Sequence, residues 1–149
     1  MDTFTFQGSG SFETELRSLV DELGPTTAAI KPWGDVGGSL ANADVLLLPS
    51  RFEGLPLVAI EAIYQGVAVI ASDRAGLNDF LDRHAIFHFG DASGLENALD
   101  WVACPSARRE AVLYSQERMA PLRSTSLFNS AVAEVGVAIV ELKNARAGR

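Results

Sequence analysis

The sequence predicts an α/β fold in which a parallel sheet is flanked by helices. The strongest indication is the segment 45–48, Val-Leu-Leu-Leu, because four consecutive apolar residues are typical of a strand buried on both faces. Five strand-like segments alternate with helix-like segments along the chain, and that alternation is typical of a parallel sheet. We predict that the five strands begin at Thr3, Ala28, Val45, Val67 and Ala85.

The composition is that of a globular protein without an affinity for nucleic acid. The chain has 149 residues, enough for a core, and we predict one domain over residues 1–149. Its net charge of −7 argues against nucleic acid as a partner. The one cysteine, Cys104, fits a reducing compartment, and residues 1–10 show no signal peptide. We therefore expect a cytoplasmic protein, or one held peripherally at the inner face of the membrane through another domain.

The first 43 residues contain two predicted strand–helix pairs. Thr3–Phe6 alternates in polarity, and Ser11 is the predicted cap of a helix that closes at Gly24-Pro25. A second strand over 28–31 ends at Pro32, and a short helix weakened by glycine is predicted over 34–43.

The central segment 44–79 predicts a strand, a loop, a helix and a second strand. Pro49 ends the strand over 45–48, and Pro56 is the predicted first residue of the helix. Gly66 ends that helix, and a buried strand over 67–71 follows. This order is that of a parallel strand–helix–strand unit.

The remaining segments predict a short helix over 75–81, a last strand over 85–89 and a helix through Leu95–Val102. A charged helix over 105–119 and a long terminal helix within 120–149 complete the chain. We interpret His88 as a packed histidine of the last strand. No cluster of cysteine and histidine residues has metal-ligand spacing, so no metal site is predicted.

Two glutamates carry the candidate chemistry of the central segment. Glu53 lies in the loop after a strand, where open α/β sheets bind ligands. Glu61 lies about five residues into the following helix, and the free N–H groups of residues 54–58 can bind an anion between the two carboxylates. That order suits the sugar, diphosphate and ribose of a nucleotide-sugar. The alternative is that Glu53 caps the helix and Glu61 is merely solvated.

The central segment resembles a known enzyme family. The residues E-G-L-P-L-V-A-I-E-A, preceded by A-D-V-x-x-x-P-S and followed by G-V-x-V-I-A-S, are similar to the E-x7-E signature of group 1 retaining glycosyltransferases with the GT-B architecture. The sequence departs from the family pattern at Ala68 (usually proline), Ala75-Gly76 (usually Gly-Gly) and Asp79 (usually glutamate).

The resemblance implies a Rossmann-like, incomplete GT-B C-terminal domain and assigns roles to individual residues. Glu53 would contact the donor sugar and is the candidate catalytic residue. Glu61 would contact the ribose. The predicted nucleotide-sugar-binding residues are Ser50, Glu53, Gly54, Leu55, Pro56, Leu57 and Glu61. The co-substrate would be a UDP- or GDP-sugar, with no other cofactor and no metal.

A base pocket is a further candidate site near the start of the chain. Gly8 and Gly10 either form a tight turn or allow the backbone to approach the base or ribose closely. Trp33 follows a predicted strand and is either a core residue or a wall of the base pocket.

Two functions are compatible with these features. The first is the donor-binding half of a glycosyltransferase acting on a glycan or lipid-linked acceptor, which a missing N-terminal domain would bind. The alternative is a non-catalytic nucleotide-binding or partner-docking module, or a truncated fragment, because the basic pair that the family uses to hold the diphosphate has no match here. In either case the isolated chain is predicted to be inactive, with the terminal helix as a docking element. A phospho-receiver domain is disfavoured because Pro49 stands where such a domain needs an aspartate.

Overall fold

The computed structural model describes residues 3–32 and 34–123. The chain divides into two compact units, Met1–Asn42 and Ala43–Arg149. Each unit has a parallel sheet of its own, so the described strands form one sheet of two strands and one of three. Within each unit the residues contact one another more than they contact the other unit. The prediction of one domain over residues 1–149 stays a prediction.

The first unit is built on two parallel strands joined by a helix. Strand β1 (Phe4–Gln7) pairs with β2 (Ala28–Lys31), with Phe4 opposite Ala28, and helix α1 (Glu13–Leu23) connects them. A parallel pair requires such a crossover connection. A short helix, α2 (Val36–Leu40), follows β2.

Helix α1 does not use the cap that its sequence suggested. Its N-cap residue is Phe12, without a side-chain cap, so the prediction that Ser11 caps the helix is wrong. A turn precedes the helix instead, in which the Glu13 N–H donates to the carbonyl of Gly10 at 3.1 Å. The helix ends at Gly24, whose φ of 81° lies in the left-handed region, as the Gly-Pro pair predicted.

The second unit contains the predicted strand–helix–strand segment. Its sheet consists of β3 (Val45–Leu48), β4 (Ala68–Ser72) and β5 (Ile86–Phe87) in that order, and all neighbouring strands are parallel. Among residues 43–123, two helices follow β5. One turn of 3₁₀ helix precedes β5, and another follows the second of these helices. The elements in chain order are β3 (Val45–Leu48), α3 (Leu57–Gln65), β4 (Ala68–Ser72), a 3₁₀ turn (Arg83–Ala85), β5 (Ile86–Phe87), α4 (Ala92–Ala103), α5 (Pro105–Met119) and a second 3₁₀ turn (Ala120–Arg123).

The core of the second unit is centred on β4, the middle strand. All five residues of β4 are buried, which is the burial expected of a central parallel strand. The inner faces of α4 and α5 pack against this sheet. The buried apolar cluster consists of Ala68, Ile70, Phe87, Ala98, Val102 and Ala111.

The segment 75–81 is not the predicted helix. Gly76 has φ 67°, outside the right-handed helical region, and the segment forms a series of turns. Ala75, Leu77 and Leu81 are buried nevertheless. These three apolar residues are therefore buried by an irregular segment and not by a helix face.

The interpretation of His88 as a packed strand histidine is wrong. Strand β5 covers only Ile86–Phe87, and His88 lies beyond its end with 85% of its side chain exposed. The strand is short because the chain turns at residues 89–90 directly before α4.

The predicted terminal helix within 120–149 falls largely on residues 124–149, which lie outside the described residues. Over residues 3–32 and 34–123, no helix has the length and apolar character needed to cross a membrane.

Candidate functional site

The loop that carries Glu53 lies at the carboxyl end of β3. It begins at Pro49, and residues 51–55 are all exposed. The Glu53 side chain accepts a long hydrogen bond from the Ser50 hydroxyl, 3.4 Å from Oγ to Oε1. Its backbone N–H donates to the carbonyl of Arg74 at 3.0 Å. The backbone of Glu53 is therefore held while its carboxylate stays open to solvent and to a ligand.

Helix α3 begins with unsatisfied backbone donors. Pro56 is the N-cap residue with an extended backbone, φ −68° and ψ 121°, and no side chain caps the helix. The prediction that Pro56 is the first helical residue is therefore wrong by one position. The N–H groups of Leu57 and Val58 belong to the first turn, where no intrahelical acceptor exists. Such a helix N-terminus favours an anion.

Glu61 lies on the exposed face of α3. It follows Leu57 by four residues, so the two side chains share one face about 6 Å apart along the helix axis. The opposite face is buried through Ala59, Ala62 and Ile63. The carboxylate of Glu61 is thus presented to solvent one turn beyond the free N–H groups.

Large apolar side chains surround this region without being buried. Phe52 is 85% exposed and Leu57 is 73% exposed, and Leu55 between them is exposed as well. Of the seven predicted nucleotide-sugar-binding residues, only Pro56 is buried and Ser50 is half-buried, whereas the others are accessible. Phe52 was not among the predicted site residues.

Three residues of the second unit that support this loop were also missed. Ser72, Arg74 and Gly76 all contact the loop over residues 50–54. A signal for Ser72 was present in the sequence, because a serine ends the otherwise apolar strand Ala-Val-Ile-Ala-Ser. The contact of Arg74 runs through its backbone, for which side-chain patterns give no signal. Gly76 was noted in the sequence only as part of the departure from the family's Gly-Gly pair.

The first unit contains a polar groove at the carboxyl ends of its two strands. Its volume is about 580 Å³. Its lining residues are Gln7, Lys31, Pro32, Gly34, Asp35, Gly38, Ser39 and Asn42. Asp35 caps α2 by accepting a hydrogen bond from the Gly38 N–H at 2.9 Å, so its side chain is fixed at the groove.

The predicted base-pocket residues lie near this groove in sequence. Gly8 directly follows Gln7 and donates its N–H to the carbonyl of Lys31 at 3.1 Å. A Cβ atom added at Gly10 would meet no atom within 4 Å. Trp33 lies outside the described residues, between Pro32 and Gly34. The role of Gly8, Gly10 and Trp33 in binding a base stays a prediction.

Among residues 3–32 and 34–123, no three histidine, cysteine, aspartate or glutamate side chains are grouped so that they could hold a metal ion.

Parallel sheets with candidate ligand groups at the carboxyl ends of their strands place the chain among the open α/β proteins, which bind ligands at that edge of the sheet. The family model for glycosyl transferases group 1 matches residues 2–104. The chain therefore belongs to the group 1 glycosyl transferase family.

Three similar proteins illustrate the relationship. The chain is 28% identical to sulfoquinovosyl transferase SQD2 of Arabidopsis thaliana over 76 residues, which are 51% of this chain and 15% of that protein. It is 27% identical to the amylovoran biosynthesis glycosyltransferase AmsK of Erwinia amylovora over 105 residues, 62% of this chain and 26% of that protein. The structure of Anabaena Alr3699/HepE with UDP-glucose has a TM-score of 0.71 and 18% identity, and covers 91% of this chain and 41% of that chain.

The chain thus spans about a quarter or less of these two curated relatives. The structural likeness confirms the predicted fold class, a Rossmann-like parallel sheet flanked by helices that forms part of a GT-B C-terminal domain.

Proposed function

We propose that this chain is the donor-binding half of a retaining glycosyltransferase that moves a sugar from a UDP- or GDP-sugar to a glycan or lipid-linked acceptor. The observation that carries the proposal is the arrangement around α3. An open carboxylate, Glu53, precedes a helix N-terminus without a side-chain cap, and a second exposed carboxylate, Glu61, follows one turn into the helix.

Each part of this arrangement suits one part of a nucleotide-sugar. Carboxylates accept hydrogen bonds from pairs of hydroxyl groups, which the donor sugar and the ribose both carry. The N–H groups at the start of α3 suit the diphosphate between them. Developing negative charge on the leaving diphosphate would be stabilised there during transfer. The exposed leucines Leu55 and Leu57 would cover the apolar parts of the ligand.

The charges around α3 limit the affinity expected of this chain alone. A helix N-terminus contributes about half a unit of positive charge, which is less than the charge of a diphosphate. Glu53 and Glu61 add two negative charges nearby. We therefore expect weak nucleotide binding and no sugar transfer by the isolated chain, because a further domain would supply the acceptor site and the missing basic residues.

Taken by itself, the groove in the first unit is suited to a hydrogen-bonding ligand. Its lining includes Gln7, Ser39 and Asn42, whose backbone and side-chain groups provide both hydrogen-bond donors and acceptors. UDP is the first nucleotide to test, because the Anabaena relative was solved with UDP-glucose.

The substitution Glu61→Ala tests the proposal. We expect it to weaken binding of UDP or GDP by about 1–3 kcal/mol, since the ribose hydroxyls lose a charged acceptor. Chemical-shift titration of the ¹⁵N-labelled 149-residue chain measures this, because the method detects weak binding.

Glu96→Ala is the matched control for this titration. Glu96 is also an exposed glutamate on a helix, α4, and its removal is expected to leave nucleotide affinity unchanged. Clear wild-type binding that Glu61→Ala leaves unaltered would reject the ribose role. No binding of either nucleotide by the wild-type chain would reject donor binding by these residues.

A further inference from the structure

The loop that presents Glu53 has little support of its own. Residues 51–55 are exposed and have no regular secondary structure. An exposed loop of this kind is expected to move unless neighbouring groups hold it. The described contacts that hold residues 50–54 from another part of the chain come from one short segment, Ser72–Gly76, at the end of β4.

The hydroxyl of Ser72 ties the ends of β3 and β4 together. Ser72 is completely buried, and its Oγ donates to the carbonyl oxygen of Ser50 at 2.5 Å. The same Oγ accepts a longer hydrogen bond from the Arg74 N–H at 3.4 Å. One buried hydroxyl therefore sets where the loop leaves β3 and where the turn leaves β4.

The backbone of the turn then meets the backbone of the loop. The Arg74 carbonyl accepts the Glu53 N–H at 3.0 Å. Gly76 has φ 67°, and a Cβ atom at this position would overlap the carbonyl oxygen of Gly54. Glycine is needed at position 76 for both reasons, its left-handed backbone and the close approach of Gly54.

The turn is itself fastened to the end of β5. The Asp73 N–H donates to the carbonyl of Phe87 at 2.8 Å, and Asp73 Oδ1 accepts the Phe89 N–H at 3.0 Å. The Asn78 side-chain amide donates to the Asp73 carbonyl at 3.0 Å. The segment that contacts the Glu53 loop is therefore anchored at several points to the rest of the sheet.

We propose that Ser72 and Gly76 are positioning residues, which fix the backbone of residues 50–54 so that the Glu53 carboxylate meets the donor sugar. This inference rests on the proposed function. Neither residue needs to touch the ligand. Helix α3 and Glu61 do not depend on these contacts, so binding of the nucleoside part should be independent of them.

The test compares a ligand that carries the donor sugar with a ligand that carries only the nucleoside part. The ¹⁵N-labelled chain is titrated with UDP-glucose and with UMP, which keeps the base and ribose but lacks the β-phosphate and the glucose. We expect Ser72→Ala to reduce the preference for UDP-glucose over UMP by about two- to tenfold, the effect of one lost hydrogen bond, with UMP affinity unchanged. Ser72→Thr retains the hydroxyl and is expected to restore the preference.

Ser115→Ala is the matched control for Ser72→Ala. Ser115 is also buried, and its hydroxyl donates to a backbone carbonyl, that of Ala111, at 2.9 Å. It lies on α5 and has no contact with the loop among those described. A general loss of stability would affect both variants and both ligands alike, whereas a positioning role affects only Ser72→Ala and only UDP-glucose.

A second pair of variants tests the backbone contact. Gly76→Ala is expected to shift the amide resonances of residues 50–54 in the ligand-free chain and to lower the preference for UDP-glucose. Gly66→Ala imposes a similar backbone cost, since Gly66 has φ 80°, but a Cβ atom there meets no other atom. It is expected to leave the preference intact.

The outcomes separate the inference from the proposed function. A wild-type chain that prefers UDP-glucose, with that preference retained in Ser72→Ala and Gly76→Ala, overturns the positioning role and leaves the proposed function standing. A wild-type chain that binds neither ligand, or binds both equally, overturns the sugar contact of Glu53 and the positioning role with it.

Discussion

The carboxylate of Asp73 joins two strand ends through both of its oxygens. Oδ1 accepts the Phe89 N–H at 3.0 Å, and Oδ2 lies 2.8 Å from Nδ1 of His88. The hydrogen bond to His88, followed by that from the Phe89 N–H, lowers the pKa of Asp73. The hydrogen bond to Asp73, reinforced by its charge, raises the pKa of His88 above the usual 6.5.

These shifts define a pH window for the pair. The raised pKa of His88 gives a contribution to stability that is complete below pH 6.5 and is lost as the pH rises through the folded-state pKa. The lowered pKa of Asp73 gives a contribution that is present above its ordinary value of 3.8 and is lost as the pH falls through the folded-state pKa. The pair is therefore strongest between these two limits.

The prediction at this scale concerns the titration of His88. Asp73→Asn removes the charge and is expected to lower the pKa of His88 toward 6.5, as measured from its ring-proton NMR resonances over pH 4–9. Nδ1 of His84 lies 2.9 Å from Asp82 instead of Asp73, so the ring resonances of His84 serve as the internal reference for the spectra. An unaltered pKa of His88 in Asp73→Asn would contradict the assigned ion pair.

Among the elements of the second unit, α5 makes a side-chain hydrogen bond to the end of α3. The side-chain amide of Gln116 donates to the carbonyl of Ile63 at 2.8 Å, close to where α3 ends at Gly66. The Ile63 carbonyl also accepts the Gly66 N–H at 3.2 Å, so Gln116 supplies a second donor to the last turn of the helix. This contact links the helix that carries Glu61 to a helix far along the chain.

We expect Gln116→Leu to lower the free energy of unfolding by about 1 kcal/mol, the usual net value of one hydrogen bond. Urea unfolding followed by circular dichroism measures the change. Gln65→Leu makes the same chemical change at an exposed residue of α3, and its effect is expected to stay within about 0.5 kcal/mol. Equal effects of the two substitutions would show that the hydrogen bond to Ile63 adds nothing.

The elements also show which structural features the sequence determines locally. β2, β3 and α5 have the bounds that were predicted, because an apolar run or a proline marks each end. The predicted helix over 75–81 was wrong because burial, rather than helical periodicity, spaces Ala75, Leu77 and Leu81. Burial in an irregular segment and burial on a helix face give the same local pattern of apolar residues.

At the scale of the whole molecule, the two units differ in how much they bury. Within the described part of the first unit, Ala28 and Leu40 are the buried apolar residues, and helix α1 buries none of its side chains. The second unit contains the buried strand β4 and most of the core. A sheet of two strands is only marginally stable by itself.

We therefore expect unequal protection of backbone amides in hydrogen exchange. Protection factors in β1 and β2 should be at least about tenfold lower than those in β4, because poorly buried regions open at lower free energy. Exchange followed by mass spectrometry on the ligand-free chain measures this, with the exposed amides of Arg51 and Phe52 as the weakly protected reference. Equal protection of β1 and β4 would show that the units open together.

The candidate site could be predicted only in part from the sequence, because some of its contacts join residues that are far apart along the chain. The positions of Glu53 and Glu61 relative to a strand end and a helix follow from a contiguous stretch of sequence. The hydrogen bond from Ser72 to Ser50 joins residues 22 positions apart, and the backbone contact between Gly54 and Gly76 depends on the pairing of β3 with β4. Such contacts follow from strand register, which local patterns do not specify.

The start of α3, where Pro56 offers no side-chain cap, has a consequence for the energetics of the chain. A capping side chain typically stabilises a helix by about 1 kcal/mol, and this helix forgoes that stabilisation. If the phosphates of a ligand accept from the free N–H groups of Leu57 and Val58, the ligand completes the helix. Binding and folding are then thermodynamically linked, so the free chain is the less stable form and the concentration of ligand adjusts its stability.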